Sequence, residues 1–186
     1  MFRDARGSPP HPVSDCPGWL ARMAERIVFE GCVSRVWVDY NGHMNYAYYV
    51  VAFDQGTDAL FDALDLGASY RERSGCTLYV VETHIAYLRE LKCDERFSVE
   101  TILADADQKR LHLYQTVSNM RGEICSTSEV LCLHVNNAGD KPRAEALSDA
   151  HFARVQELLC AHEGYPRQLS RAITIRKARR QGSDGS

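Results

Sequence analysis

The sequence has no apolar run close to the roughly 20 residues that a membrane-crossing helix needs. It has no Cys-x-x-Cys pair, so zinc-finger and thioredoxin-like spacings are absent, and no His-x-x-x-His pair to suggest a zinc helix. Its seven cysteines, an odd number, fit free thiols in a reducing cytoplasm better than a disulfide frame. The first sixteen residues lack the apolar core of a signal peptide. Positive charge is in deficit: 22 Lys and Arg face 25 Asp and Glu, a net charge of −3, which argues against a generally basic nucleic-acid binder. No internal repeat is present.

What remains is a chain of 186 residues, 45% hydrophobic and 25% charged, the size and balance of one soluble domain. Residues 1–23, punctuated by Gly7, Pro9, Pro10, Pro12, Pro17 and Gly18, read as a flexible lead-in. A folded domain is expected over 24–165, followed by a basic, disordered tail over 166–186. That tail holds Arg171, Arg176, Lys177, Arg179 and Arg180 against Asp184, so the body ahead of it is acidic.

The pattern predicts a strand over 27–38, then a turn at Asp39-Tyr40-Asn41-Gly42, where Asn-Gly readily accepts positive φ. Residues 45–64 run without proline, with Val50, Val51, Leu60, Phe61 and Leu64 near helical spacing. This is one helix of roughly 30 Å, apolar over more than a narrow stripe and so expected to be buried around most of its circumference. Strand-like segments follow at 77–91, 96–105, 110–119 and 123–135, joined by short polar spacers as in an antiparallel meander. Ser148 can cap a second helix over 149–162. One sheet wrapped round one long helix is an α+β architecture, and its open edges and surface call for a second copy.

The segment from Trp37 to Tyr49 carries the chemistry. It joins a strand end, a tight turn and the first turn of a helix, whose N-terminus offers unpaired N–H groups and partial positive charge. Such a site can hold an oxyanion. Asp39 stands just before it, placed for a nucleophile or a general base on water, and Gly42 lets backbone approach a ligand closely. The parts for acyl transfer to water are therefore present. Asp39, Asn41, Asn45 and Gly42 are equally ordinary turn and capping residues, and composition alone leaves both readings open.

Asp39, Gly42, His43, Asn45 and Tyr49, opening a long helix, resemble the motif of hotdog-fold acyl-CoA thioesterases of the 4-hydroxybenzoyl-CoA thioesterase type. Ile85-Ala86-Tyr87-Leu88-Arg89 followed by Asp94-Glu95 is similar to that family's second strand and hairpin, and the resemblance spans about 25–137. It implies a hotdog fold that dimerises through the sheet, often pairing again into a tetramer, with the site at the dimer interface. It further implies Asp39 as the catalytic carboxylate, the Tyr46 backbone N–H as the group polarising the thioester carbonyl, and neither metal nor other cofactor. His43 is expected to support the turn by hydrogen bonding. The sequence departs from the family pattern at Tyr46, which replaces a common second Asn, and at Asp54, which replaces a Glu and competes weakly for the catalytic role.

Trp37, Tyr40, Tyr46, Tyr48 and Tyr49 crowd the helix mouth, and Tyr79 and Tyr87 come from the next strand. Singly they read as core; together, beside Asp39 and Asp54, they suit a quaternary ammonium group. The run from Asp39 to Gln55 also resembles a branch linked to carnitine breakdown, which hydrolyses betainyl-CoA. Arg89, Lys92, Lys109 and Arg110 are the cations expected to meet the phosphates of CoA. The competing readings are a thioesterase for aromatic or short-chain acyl groups, a non-catalytic acyl-CoA binder, and a hotdog dehydratase.

Overall fold

The structure is a computed structural model that describes residues 27–170 and 173–175; the lead-in at 1–23 and the tail past 175 lie outside the described residues. Five long strands build an antiparallel sheet: β1 (Ile27–Cys32), β2 (Cys76–Tyr87), β3 (Arg96–Ala106), β4 (Arg110–Asn119) and β5 (Ile124–Asn136). Their order is β1-β3-β4-β5-β2, with a short β6 (Arg143–Ala144) paired to the end of β5. Helix α1 (Tyr46–Ala63) lies across β1, β3 and β4. A short α2 (Ala68–Ser74) precedes β2, and α3 (Asp149–Ala161), capped by Ser148, closes one end of the core.

The meander forms because the alternation in each strand agrees with its neighbour. Leu111, Leu113, Gln115 and Val117 pair with Cys132, Val130, Ser128 and Ser126 on the inner face, under α1. His112, Tyr114 and Thr116 point outward. The expected first strand ends early, at Cys32 opposite Arg96, the first residue of β3; beyond it the chain makes a 3-10 turn at Arg35–Trp37. The seven-residue α2 has one buried side chain, Tyr70, too little for a sequence pattern to reveal.

Two expectations need correction. Helix α1 is buried along one stripe only, through Tyr49, Ala52, Phe53, Gly56, Thr57, Leu60 and Phe61. Val50 and Val51 remain 49% and 42% exposed, beside a β2 whose residues from Tyr79 to His84 are all exposed. The helix is offset from β2, so both the edge and the inner surface of that strand stay open.

The segment expected to be a disordered tail also behaves differently at residues 166–170 and 173–175. Past α3 it crosses to the outer face of the sheet: Tyr165 packs on Ile102, Ala104 and Tyr114, and Ser170 N–H donates to Glu129 Oε1. Glu129, itself buried, pairs with His112 Nε2 at 3.0 Å, and Ile173 and Ile175 are buried. Apolar residues at these positions hold the segment down, a pattern that its basic composition hid.

Candidate active site

The turn before α1 is built almost wholly by backbone. Asp39 N–H donates to the His43 carbonyl at 3.0 Å, Gly42 N–H returns to the Asp39 carbonyl, and Asn45 N–H donates to the Trp37 carbonyl. Gly42 has φ of +84°, a left-handed conformation that costs most side chains about 1 kcal/mol or more. Met44 N–H then donates to the Leu91 carbonyl at 2.8 Å, and His43 bridges Lys92, so the turn is docked on the chain leaving β2.

These contacts set out the reacting groups. Asp39 Oδ1 accepts the Asn41 N–H at 2.8 Å, which orients the carboxylate. At the helix N-terminus the Asn45 side chain accepts the Ala47 N–H, and the Asn45 carbonyl accepts the Tyr48 N–H. Among the described residues no acceptor takes the Tyr46 N–H. A carboxylate and an unpaired N–H carrying the positive end of the helix dipole thus share one place.

A cleft of about 310 Å³ opens there, lined by Asp39, His43, Met44, Tyr46, Tyr49, Tyr87, Leu88, Arg89 and Glu90. Three tyrosine rings meet edge to face in it: Tyr46 with Tyr87 at 6.4 Å, and Tyr49 with Tyr87 at 5.4 Å. Tyr49 donates to the Arg89 carbonyl, and burial pushes its phenol up to about 12. Tyr87 donates to the Tyr46 carbonyl, and its phenol too is raised by burial. Both are therefore neutral donors with intact π faces near neutral pH. An adjoining basin of about 600 Å³ shares Leu88, Arg89 and Glu90 with the cleft and adds Lys92, Glu95, Arg121 and Glu123.

The structure divides the residues singled out from sequence. Asp39, His43, Tyr46, Tyr49, Tyr87 and Arg89 come together in the cleft, with Lys92 in the basin. Gly42 and Asn45 shape the turn and cap the helix. Trp37 stacks on Tyr48 at 5.3 Å and tilts against Phe97, so this pair packs behind the site. Tyr40, 97% exposed, sits at the tip of the turn. Asp54 lies two helical turns beyond Tyr46, roughly 12 Å along the axis, on an exposed face. Tyr79 is at the far end of β2, bonded to Asn137. Lys109 and Arg110 are at the opposite end of β4 from Arg121, roughly 30 Å away, and Arg110 pairs with Asp107.

The His43 ring reaches across to the segment leaving β2, its Nε2 lying 2.7 Å from Glu90 Oε2. Glu90, Leu88, Met44 and Arg121 are lining residues that the sequence reading passed over. Only the non-local pairing of the 90–92 segment with the 43–44 turn brings Glu90 in, and its one sequence signal is that it adjoins Arg89. Among the described residues no three His, Cys, Asp or Glu side chains group as a metal set.

Comparison with known proteins identifies the family and the fold. Residues 33–170 match the model of the thioesterase-like superfamily. The chain is 37% identical over 139 residues to the betainyl-CoA thioesterase of Pseudomonas aeruginosa, covering 74% of this chain and 86% of that one. A Staphylococcus aureus protein solved in complex with CoA superposes with a TM-score of 0.74 at 25% identity, over 83% of this chain and 96% of that one. A 4-hydroxybenzoyl-CoA thioesterase variant bound to 4-hydroxybenzoyl-CoA shares the fold, with a TM-score of 0.63 at 15% identity over 69% and 96% of the two chains.

Proposed function

The chain belongs to the thioesterase-like superfamily, and from that premise we propose that it hydrolyses an acyl-CoA thioester to the free acid and CoA, with betainyl-CoA as its substrate. Its fold is the hotdog arrangement, a curled antiparallel sheet around α1. The observation that carries the proposal is the single cleft holding the Asp39 carboxylate, the open Tyr46 N–H and three tyrosine rings.

The thioester carbonyl oxygen accepts the Tyr46 N–H, where the helix dipole stabilises the charge that develops on it. Asp39 either attacks the carbonyl carbon, giving a mixed anhydride that water opens, or takes a proton from the water that attacks. In both routes the C–S bond breaks, CoA leaves as its thiolate and collects a proton, and the acyl carbon gains a hydroxyl oxygen from water. The carbonyl is polarised by backbone, so the proposed reaction uses no metal and no other cofactor.

The identity to a betainyl-CoA thioesterase supports the choice of acyl group. So does the cleft: neutral tyrosine faces beside a carboxylate attract a quaternary ammonium ion. The adjoining basin, with Arg89, Lys92 and Arg121, is the place proposed for the CoA phosphates. The proposed working form is a homodimer built on the open edge of β2. A dimer of dimers would need a surface other than the part of the outer sheet face where Tyr165 and Ser170 already pack. A cytoplasmic location is proposed on the cysteines of the described residues, Cys32, Cys76, Cys93, Cys125, Cys132 and Cys160, all free thiols.

The test is release of free CoA from betainyl-, acetyl-, butyryl- and benzoyl-CoA. Betainyl-CoA should show the highest kcat/KM, and Asp39→Asn should lower kcat about a thousandfold with unchanged circular dichroism. Equal or better kcat/KM on the uncharged thioesters would sink the substrate assignment. Full turnover by Asp39→Asn would remove the carboxylate from the chemistry.

A further inference from the structure

We propose that Glu90 is a specificity-determining residue: a second carboxylate at the rim of the cleft that selects a positively charged acyl group. This rests on the thioesterase reading of the same cleft and adds to it the residue that reads the charge.

In a betainyl thioester one methylene separates the reacting carbonyl carbon from the ammonium nitrogen. The cation therefore sits in the same cleft as Asp39, close to the bond being broken. Asp39 cannot serve as its lasting counter-charge, because as nucleophile it becomes an acyl anhydride and as base it becomes a carboxylic acid, neutral in either case. A carboxylate that keeps its charge throughout has to come from elsewhere.

Among the residues lining the cleft, Glu90 is the carboxylate other than Asp39. Its place is fixed by backbone: Met44 N–H donates to the Leu91 carbonyl, and His43 bridges Lys92, so segment 90–92 is tied to the Asp39 turn. Its Oε2 accepts from His43 Nε2 at 2.7 Å, which restrains the side chain. The neighbouring cation, Arg89, lines both the cleft and the basin. Arg89 lies near Glu123 in the basin, where hydrogen bonds from Asn119 and Arg121, with the charges of Arg121 and Arg89, hold the Glu123 carboxyl below its ordinary value.

A quaternary ammonium ion has no N–H to donate, so a carboxylate can recognise it only through its field. That makes glutamine a clean replacement. It keeps the size of the side chain and an oxygen for His43, and it removes the charge. A unit charge about 5 Å away in a well-hydrated cleft alters binding about tenfold. The charge interacts equally with bound substrate and transition state, so the effect belongs in KM.

The experiment compares betainyl-CoA with 3,3-dimethylbutyryl-CoA, its uncharged isostere, in the wild-type protein and in Glu90→Gln. The wild type should prefer the cationic thioester. Glu90→Gln should lower kcat/KM for betainyl-CoA about tenfold relative to the isostere, through KM, while Glu90→Asp should restore most of the preference. A wild-type preference that survives in Glu90→Gln overturns the role of Glu90 and leaves the thioesterase reading intact. A wild type that hydrolyses both thioesters equally overturns the charge selection and, with it, this role. A wild type that hydrolyses no thioester overturns the reading on which the proposal rests.

Discussion

Where the chain leaves α3 and crosses to the outer face of the sheet, the ring of His162 accepts the Leu103 N–H at Nδ1, 2.9 Å away. Among the described residues β1 pairs with β3 as far as Thr101, so that N–H lies past the described pairing, beside the bulge between Leu103 and Asp105. A protonated imidazole has no acceptor to offer it. Burial, and after it the charge of Arg167, lowers the His162 pKa to about 4. The unfolded chain titrates near the ordinary value of about 6.5. Between those two values the unfolded state takes up a proton that the folded state refuses. Stability is therefore full above pH 6.5 and is lost as pH falls towards 4, by roughly 3 kcal/mol from this one group. Replacing His162 with Asn, whose side-chain oxygen can accept but does not titrate, should flatten that part of the acid loss. Urea unfolding at pH 7.5 and pH 4.5 measures it: the wild type should lose about 3 kcal/mol more than the variant between the two. An equal loss in both would mean that His162 does not carry the pH dependence. Nothing in the sequence marks this histidine; its chemistry comes from one N–H that is distant in the chain. Asp39 was legible because its turn, its glycine and its cap are neighbours in sequence. Glu90 was not, because it joins the same turn across the sheet.

Helix α1 was legible from its period and its length. How closely it approaches the sheet was not. That approach depends on Gly56, where a Cβ would sit 2.7 Å from Thr101 Oγ1, 2.8 Å from Val99 Cγ1 and 3.1 Å from Gln115 Nε2. Those groups cannot retreat cheaply. Gln115 Nε2 donates to the Phe53 carbonyl at 2.8 Å and to the hydroxyls of Thr57 and Thr101, all buried beneath the helix. Read as a sequence, a glycine inside a helix is a weakness, and alanine would gain about 1 kcal/mol of helix propensity. The packing reverses the sign. Gly56→Ala should destabilise the protein by about 1–3 kcal/mol net, because helix and sheet must separate or break the Gln115 network. For a domain of this length that is a fall in Tm of roughly 3–10 °C, read by calorimetry. A rise in Tm would show that the helix has room. The strands were legible where neighbours agree in alternation, as in β4 and β5, and misread where pairing simply stops, as after Cys32.

The sequence suggested a second copy because one helix cannot cover both faces of a sheet. The structure changes which surface that argument points to. The outer face is occupied by the segment after α3: Tyr165 packs on Ile102, Ala104 and Tyr114, and Ser170 N–H donates to Glu129. What stays open is β2, where Tyr79, Val80, Val81 and Tyr87 are exposed, with Val50 and Val51 of α1 beside it. An unpaired, apolar edge strand pairs readily with another, and antiparallel pairing with its own copy about a two-fold axis closes both edges at once. The same pairing would run the Tyr79 end of one β2 beside the Tyr87 end of the other. Tyr79, remote from the cleft within one chain, would then stand near the cleft of its neighbour, as an aromatic substrate-binding role requires. The chain should therefore sediment at twice its own mass at micromolar concentration. Val80→Asp puts a charge where the two edges meet, at a position half exposed in one chain, so it should leave each chain folded while driving the pair apart. Analytical ultracentrifugation and the CoA-release assay on the same samples decide it. The variant should be monomeric, with native circular dichroism and little activity. A wild type that sediments as a monomer, or a monomeric variant with full activity, would show that the cleft is complete within a single chain.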